Sequence, residues 1–293
     1  MPAERTVYHG TLRDEKLVAQ YHLADVLLLP STGKTESFGM VLVEAMACGV
    51  PVIASNIGGI PTVISDGIDG LLVPTANVQA LTEAIASVLE HPAQADQLAD
   101  QAYHKVLRRF TWQKSVQHYL DIVAAAQTHV STIVHVAGYY PPHLGGMETV
   151  AQALAENLAS RNYDVQVLTS SVDQPTPPPA TPQNLHIHRF KAFEFAHTPI
   201  AFGFIPAIFR IPKSSIVHLH LAQAMYPEWV WLMCKIRRIP YVVHFHLDLM
   251  PSGTLGRLFV VYKAVVLKFV IRQANKVVVF SSEQKQFIYE TYK

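Results

Sequence analysis

The chain has 293 residues, of which 50% are apolar and 15% are charged, and its formal net charge is +1. This length accommodates one large or two ordinary domains, with enough apolar residues for substantial cores. Two cysteines are too few for a disulfide framework and no signal peptide is recognised, so we expect a cytoplasmic location. The longest apolar stretch, 258–279, is interrupted by four basic residues, which excludes a membrane span.

Charge is distributed unevenly along the chain. Residues 1–128 carry 8 Lys and Arg against 13 Asp and Glu, a net −5, whereas residues 129–293 carry 15 against 9, a net +6. This asymmetry predicts either contact with an anionic membrane surface or acidic ligand, or two domains that meet. The basic residues are dispersed and form no recognition motif, which argues against a nucleic-acid partner. Peripheral contact with the inner face of the membrane is predicted through Arg257, Lys263, Lys268 and Arg272.

The chain begins with the pattern of an α/β domain. Thr6 to Gly10 predicts a short strand that runs into a glycine turn, and Asp14 to Leu23 predicts a helix. Asp25 to Pro30 is an apolar run that ends in proline, which indicates a strand buried on both faces, as in a parallel sheet. A polar loop over 31–35 follows this strand.

The residues after this loop predict a helix and then a buried strand. The helix begins near Phe38 and Gly39, and apolar residues recur at helical spacing over 41–46. Gly49-Val50-Pro51 ends the helix before the strand Val52 to Ser55. The backbone N–H groups at the start of such a helix are candidates for binding an anion.

Two carboxylates flank the start of this helix. Glu36 lies in the preceding loop, at the positive end of the helix dipole, and Glu44 lies about two turns further on. N–H donors for phosphate, combined with carboxylates for hydroxyls, suit a sugar nucleotide. The alternative is that Glu36 only caps the helix and Glu44 is a solvated helix residue.

The complete pattern, Glu36 and Glu44 spaced Glu-x7-Glu and followed by 49–55, resembles the donor-binding signature of retaining glycosyltransferases of family 4, which have the GT-B fold. The resemblance runs through most of residues 6–126. It implies that Glu36 contacts hydroxyls of the donor sugar and that Glu44 binds the ribose hydroxyls of the nucleotide. It also implies that backbone amides approach the sugar and phosphate at Phe38, Gly39, Met40 and Val41.

The rest of the first half contains further αβ units. Asn56 to Pro61 is a glycine-rich turn that, in the resembled family, lies near the donor phosphates, although such turns are common without a ligand. Helices are predicted over 78–89, 94–109 and 113–126. In the family, this final helix packs back toward the other domain.

A new βαβ unit begins at residue 131. Strand 131–136 leads through a Pro…Gly-Gly loop to helix 149–159 and strand 164–169, which resembles the start of the amino-terminal domain of the same family. The resemblance implies that Gly145 and Gly146 let the backbone approach the donor phosphate or the acceptor. The alternative is a strained turn with nothing bound.

Strands and helices then alternate to the end of the chain, which predicts a doubly wound parallel sheet. The expected fold class is therefore α/β, with two Rossmann-like domains of GT-B type, the first of them incomplete. Residues 1–128 are expected to form a partial donor-binding domain for a nucleotide sugar, and residues 129–293 an amino-terminal-type acceptor domain.

Two His-x-His pairs place imidazoles on one face of their strands, at His218 and His220 and at His244 and His246. No cysteine or carboxylate cluster is linked to them at ligand spacing, so no metal site is expected and His218 and His244 are interpreted as packing residues. By resemblance, His246 matches the strand-end histidine that contacts the donor sugar in family 4. His220 and Asp248 lie near it in the pattern and are candidates for the acceptor side.

The resemblance implies transfer of a hexose from a nucleoside diphosphate sugar to an acceptor hydroxyl, with retention and without a metal or other cofactor. The acceptor is a glycan, a lipid or a small molecule. The carboxy-terminal type of domain precedes the amino-terminal type, which is the reverse of the usual order, and the Arg/Lys phosphate clamp of the family has no match here. Two alternatives stay open: a non-catalytic or truncated fragment of a tandem glycosyltransferase that only binds sugar nucleotide, and a GT-B sugar-nucleotide epimerase.

Overall fold

A computed structural model describes residues 6–12, 14–33, 37–126, 129–172, 182–195, 198–224, 226–246 and 261–292. The chain divides into two compact units, Met1–Phe110 and Thr111–Lys293. Each unit is built on its own parallel sheet.

The first unit contains a three-stranded parallel sheet in the order β1-β2-β3. Its strands are β1 Leu27–Leu29, β2 Val52–Ser55 and β3 Leu71–Val73, and its helices are α1 Asp14–His22, α2 Met40–Ala47, α3 Ile60–Val63, α4 Val78–Glu90 and α5 Pro92–Arg109. Val7 and Tyr8 are largely exposed and form no regular structure, so the strand predicted over 6–10 is wrong. In the described residues no neighbouring strand pairs with them.

The second unit contains a six-stranded, entirely parallel sheet. Its first part has α6 Trp112–Ala126, β4 Thr132–Val136, α7 Gly146–Ala159, β5 Asp164–Ser170 and β6 Leu185–Phe190. An unpredicted antiparallel hairpin, β7 Phe193–Phe195 and β8 Thr198–Ile200, follows with α8 Phe204–Arg210. The remainder has β9 Ser215–Leu221, α9 Tyr226–Arg237, β10 Tyr241–Phe245, a π-helical segment Lys263–Leu267, α10 Lys268–Gln273, β11 Lys276–Val278 and α11 Ser282–Tyr292.

Both faces of this sheet, ordered β11-β10-β9-β4-β5-β6, are covered by apolar cores. Because side chains alternate along a strand, Val134 and Val217 pack on the side of α8 and α9, whereas Ile133 and Ile216 pack on the side of α6 and α7. Strands buried on both faces are typical of doubly wound sheets. The predicted α/β fold class, with a parallel sheet in each of two units, is confirmed.

The division between the units falls after Phe110, whereas the sequence placed a boundary at residues 128 and 129. The helix α6 therefore belongs with the second unit. Its apolar face, formed by Val116, Tyr119 and Val123, is buried in the same core as Val150 and Leu154 of α7. The roles assigned to the two domains remain predictions.

Candidate functional site

The helix α2 starts and ends on glycines in the left-handed conformation. Gly39 precedes the helix with φ +81°, and its carbonyl oxygen accepts the N–H of Leu42 at 2.9 Å. Gly49 follows the helix with φ +73°. A residue with a Cβ is strained in this region, so the two glycines fix where the helix begins and ends. The predicted helix is confirmed within two residues at its start.

The glycine-rich turn after β2 packs directly on the turn before α2. A Cβ atom at Gly59 would overlap the carbonyl oxygen of Ser37, so only glycine permits this approach. The two turns follow the carboxyl ends of β1 and β2, which are neighbouring parallel strands. Ligands of open α/β sheets bind at this edge. The turn that the sequence placed near the donor phosphates therefore lies beside the predicted amide site.

The helix-start amides differ in their surroundings. In the part of the chain that the structure describes, no acceptor is found for the N–H groups of Met40 and Val41, the first two residues of α2. Gly39 is buried, and the ring of Phe38 packs edge-on against Phe110 at 5.6 Å. Since the first N–H groups of a helix have no partner within it, Met40 and Val41 are the best placed donors for an anion.

The carboxylate of Glu44 is half-buried on α2 and is held by a hydrogen bond. The Tyr21 hydroxyl donates to Glu44 Oε2 at 2.9 Å. Burial raises the pKa of this hydroxyl, and the bond to Glu44 raises it further, so Tyr21 stays protonated as a donor. An ionised carboxylate has about four lone-pair sites, so one bond leaves capacity for ribose hydroxyls. Glu36, the other predicted carboxylate, lies outside the described residues.

A buried ion pair that the sequence did not reveal supports the same unit. Lys105 Nζ lies 2.7 Å from Asp69 Oδ2 and donates to Ser65 Oγ at 2.9 Å. Asp69 also accepts the backbone N–H of Ser65 at 2.7 Å. These bonds tie the helix α5 to the turn before β3.

In the second unit, the glycines after β4 are not explained by backbone strain. Gly145 has φ 172°, an extended conformation open to any residue, and a Cβ there would overlap the carboxylate of Glu148. A Cβ at Gly146 would meet nothing within 4 Å. The alternative of a strained turn is therefore wrong, whereas a role in ligand approach stays a prediction.

The same loop contains a contact between a histidine and a carboxylate that the sequence did not reveal. Glu148 is buried at the start of α7, and its Oε1 lies 3.1 Å from His143 Nδ1. The His143 ring in turn stacks on Tyr139 at 4.2 Å between centroids. The loop is thus organised by side chains that hold its two ends together.

Five buried histidines form a cluster on the α6 and α7 face of the second sheet. They come from the three central strands: His135 from β4, His218 and His220 from β9, and His244 and His246 from β10 or its end. The parallel register places His135 beside His218 and His220 beside His244. Alternation along each strand keeps all five on one face. We call this group the histidine cluster.

Short contacts between ring nitrogens link the histidine cluster. His135 Nδ1 lies 2.9 Å from His220 Nε2, and His220 Nδ1 lies 2.9 Å from His246 Nε2. His218 Nε2 lies 3.2 Å from His244 Nδ1. These contacts form a chain from His135 through His220 to His246 and a separate pair of His218 and His244. Stacking of His218 on His220, at 4.4 Å between centroids, joins the two groups, and His246 lies at the carboxyl edge of the sheet.

Burial keeps the histidine cluster uncharged. It lowers the pKa of His135 and of His244 to about 3, and it lowers the pKa of the other three imidazoles well below the usual value. Neighbouring histidines add to the lowering at His218 and His220, since charges of the same sign repel. All five rings are neutral at pH 7.

The predicted membrane-contact residues are only partly described. Lys263, Lys268 and Arg272 lie on the π-helical segment and α10, whereas Arg257 lies outside the described residues. Exposed apolar side chains accompany them at Val265 and Phe269. Among the helices of the described residues, none combines the length and apolarity that a bilayer span requires.

Comparisons with known proteins match the two halves of the chain to two family models. The model described as glycosyl transferases group 1 matches residues 2–105, and the glycosyl transferase 4-like domain matches residues 145–292. The chain is 38% identical over 112 residues to D-inositol 3-phosphate glycosyltransferase of Saccharomonospora viridis, covering 38% of this chain and 25% of the relative. The same enzyme of Xylanimonas cellulosilytica is 35% identical over 123 residues, covering 42% and 29%.

Solved structures were also compared. Sucrose-phosphate synthase of Thermosynechococcus elongatus is 37% identical, with a TM-score of 0.39, over 42% of this chain and 31% of that protein. The HepE protein of Anabaena in complex with UDP is 28% identical, with a TM-score of 0.35, over 36% and 29%. The chain spans about a quarter of the length of the curated relatives it matches. Since the 4-like model matches 148 of the 293 residues, the chain belongs to the glycosyl transferase 4-like family.

Proposed function

We propose that the chain functions in the transfer of a hexose from a nucleoside diphosphate sugar to an acceptor hydroxyl, with retention of the anomeric configuration. The observation that carries this proposal is the approach of Gly59 to Ser37, which joins two turns at the carboxyl edge of the first sheet. The N–H groups of Met40 and Val41 lie in the turn-and-helix start so formed. Family membership supports the reaction class.

In this proposal the first unit binds the donor. The N–H groups of Met40 and Val41, together with the positive end of the α2 dipole, bind the diphosphate. Such fixed donors also stabilise the charge that develops on the leaving phosphate. Glu44 accepts hydrogen bonds from the ribose hydroxyls, with its carboxylate oriented by Tyr21. The role of Glu36 at the sugar hydroxyls rests on the resemblance alone.

In the second unit, we assign His246 to a hydroxyl of the donor sugar. Its imidazole is neutral because burial lowers its pKa, so it acts as a hydrogen-bonding group and not as a cation. One of its ring nitrogens faces His220, which fixes the orientation of the ring. A fixed, neutral ring at the end of a strand suits recognition of a sugar hydroxyl. A role for Gly145 and Gly146 in admitting the phosphate or acceptor remains part of the proposal.

Calorimetric titration with UDP, GDP and ADP in turn tests the donor site. For the nucleotide that binds, Glu44→Gln is expected to weaken the affinity about tenfold or more, because a carboxylate accepts hydroxyl hydrogen bonds more strongly than an amide. Glu90→Gln is the matched control, since Glu90 is exposed at the end of α4 in the same unit. Equal affinities for wild type and Glu44→Gln would contradict the assignment of Glu44.

A second measurement addresses turnover. The purified chain is incubated with radiolabelled UDP-, GDP- and ADP-hexoses with and without a simple glycoside acceptor, and the products are separated by chromatography. Transfer to the acceptor with retained configuration is expected. Binding without transfer or hydrolysis would favour a donor-binding fragment, and an epimerised sugar without acceptor would favour the epimerase alternative.

A further inference from the structure

The histidine cluster contains buried nitrogens that its internal contacts do not satisfy. A neutral imidazole has one N–H donor and one acceptor nitrogen. Three nitrogen–nitrogen contacts link the five rings, yet His135 Nε2 and His218 Nδ1 are buried without a partner in the described residues. Unsatisfied buried polar atoms are rare in native proteins, and an ion or water often accounts for them.

The geometry also brings ring nitrogens together in the manner of ligands. His135, His218 and His220 each offer one nitrogen, and these atoms lie within 4.8 Å of one another; the same holds for His220, His244 and His246. Three histidines around a tetrahedral Zn²⁺ place their nitrogens about 3.4 Å apart, given metal–nitrogen bonds of about 2.0–2.1 Å. In the first trio the ring planes lie at 4° to 27° to one another, so the rings must turn out of this stacking to direct their nitrogens at one ion.

The arrangement of contacts distinguishes the two trios. Metal-bound histidines donate their other N–H to a fixed acceptor, which sets the tautomer and the ring orientation. His220 Nδ1 faces His246 Nε2, and His218 Nε2 faces His244 Nδ1. The first trio, His135, His218 and His220, therefore has two of its three outer nitrogens already directed at further histidines. It also contains His218 Nδ1, a buried nitrogen without a partner in the described residues, which a metal ion would satisfy.

We propose that His135, His218 and His220 bind a divalent transition-metal ion in the core of the second unit, with His244 and His246 as outer hydrogen-bond acceptors. The nitrogens assigned as ligands are His135 Nδ1, His218 Nδ1 and His220 Nε2. An all-imidazole set favours Zn²⁺, Cu²⁺, Ni²⁺ or Co²⁺ and disfavours Mg²⁺ and Ca²⁺, which prefer oxygen. The neutral state of the rings is the state that binds metal.

This inference departs from the sequence expectation of no metal site. That expectation rested on two His-x-His pairs without a linked cysteine or carboxylate, and it did not include His135. His135 lies on a third strand, β4, and the sequence alone does not show that β4 is the neighbour of β9. The order β10-β9-β4 in the folded sheet places His135 beside His218. The metal site is linked to the proposed function through the contact between His220 and His246, and metal binding is measured without any nucleotide, so the two proposals can fail separately.

Metal analysis of the whole chain tests the proposal directly. The chain is produced without a polyhistidine tag, dialysed against metal-free buffer, loaded with Zn²⁺ and analysed for bound metal by mass spectrometry. About one equivalent is expected, with X-ray absorption showing imidazole nitrogens at about 2.0–2.1 Å. The proposal is wrong if no Zn²⁺ is bound, or if oxygen atoms rather than imidazole nitrogens coordinate it. Neither result depends on a variant.

Variants then test which histidines bind. His218→Gln and His220→Gln are expected to weaken Zn²⁺ affinity more than His244→Gln, for which a loss of about 10- to 100-fold is typical of an outer partner. His188→Gln is the control, because His188 is exposed on β6, and its affinity should equal that of wild type. Circular dichroism establishes that each variant is folded. The assignment is wrong if His188→Gln loses as much Zn²⁺ affinity as the cluster variants. It is also wrong if His218→Gln keeps its Zn²⁺ affinity while His246→Gln loses it.

Discussion

The proposed donor site of the first unit and the histidine cluster of the second are assembled in different ways. The first consists of backbone: the turn at Gly59, the glycine before α2, and the N–H groups of Met40 and Val41, all within about twenty residues of sequence. The second consists of side chains from strands that are neighbours only after the sheet has formed, and His135 and His220 are separated by 85 positions in the sequence.

This difference determines how each site depends on the rest of the molecule. A site made of turns and a helix start is specified by a contiguous motif and is sensitive to a single added Cβ. A cluster of neutral imidazoles is specified by strand order and is sensitive to proton concentration, because burial opposes the charged form. The comparison between the two sites is therefore tested by changes that affect either a backbone turn or a buried side chain.

The largest expected effect is a loss of stability of the second unit in acid. Its clustered histidines have lowered pKa values when folded, so below the ordinary pKa of 6.5 the unfolded chain binds protons that the folded unit does not. Stability is constant above about pH 7 and falls as the pH decreases from 6.5 toward 3, by up to about 1.4 kcal/mol per pH unit for each histidine.

Tryptophan fluorescence measures this effect selectively, because Trp112, Trp229 and Trp231 all lie in the second unit. Urea unfolding followed by fluorescence at pH 7.5, 6.5 and 5.5 is expected to give decreasing free energies of unfolding. Hydrogen exchange in peptides of the first unit serves as the control, since its described histidines are exposed. A fluorescence transition that does not change with pH would contradict the burial of the cluster.

The next largest effect is expected at the buried ion pair of the first unit. Lys105→Met leaves the carboxylate of Asp69 buried without its partner, which is expected to cost about 3–5 kcal/mol of unfolding free energy. Hydrogen exchange of the first unit measures the loss. Arg108→Met on the exposed side of the same helix should change little. The double variant Lys105→Met/Asp69→Asn should recover part of the loss, and a failure to recover any would show that the lysine acts by packing alone.

The sequence predicted the strand β2, most helix bounds and the position of the α2 helix start because these depend on local patterns. It did not predict the β7 and β8 hairpin, and it placed a strand over 6–10 that does not form. Gly49 and Pro51 mark the end of α2 by their own conformational preferences. By contrast, His135 is isolated in the sequence, and Lys105 looks like an ordinary residue of an amphipathic helix. Their roles depend on which strand or turn lies opposite, and this is decided by tertiary packing.

A smaller effect, on binding, is expected at Gly59. Gly59→Ala places a methyl group against the carbonyl of Ser37, so the two turns must separate and the affinity for nucleotide should fall by about 10- to 100-fold. Gln101→Ala is the control, because Gln101 is exposed on α5 in the same unit and has no role in the proposed site. Calorimetric titration compares the two variants with wild type. An unchanged affinity in Gly59→Ala would separate the glycine-rich turn from the donor site.

The smallest effect is expected at Tyr21, which tests whether a side chain matters in the backbone-built site. Tyr21→Phe removes one hydrogen bond to Glu44 and nothing else from the described site, so nucleotide affinity should fall about 3- to 10-fold. Tyr103→Phe, a partly exposed tyrosine of α5, is the control. Titration of both variants at the same pH gives the comparison. Tighter binding by Tyr21→Phe would contradict this prediction, because it would mean that the Tyr21 hydroxyl competes with the ribose for the Glu44 carboxylate. The carboxylate would then have to release Tyr21 when nucleotide binds.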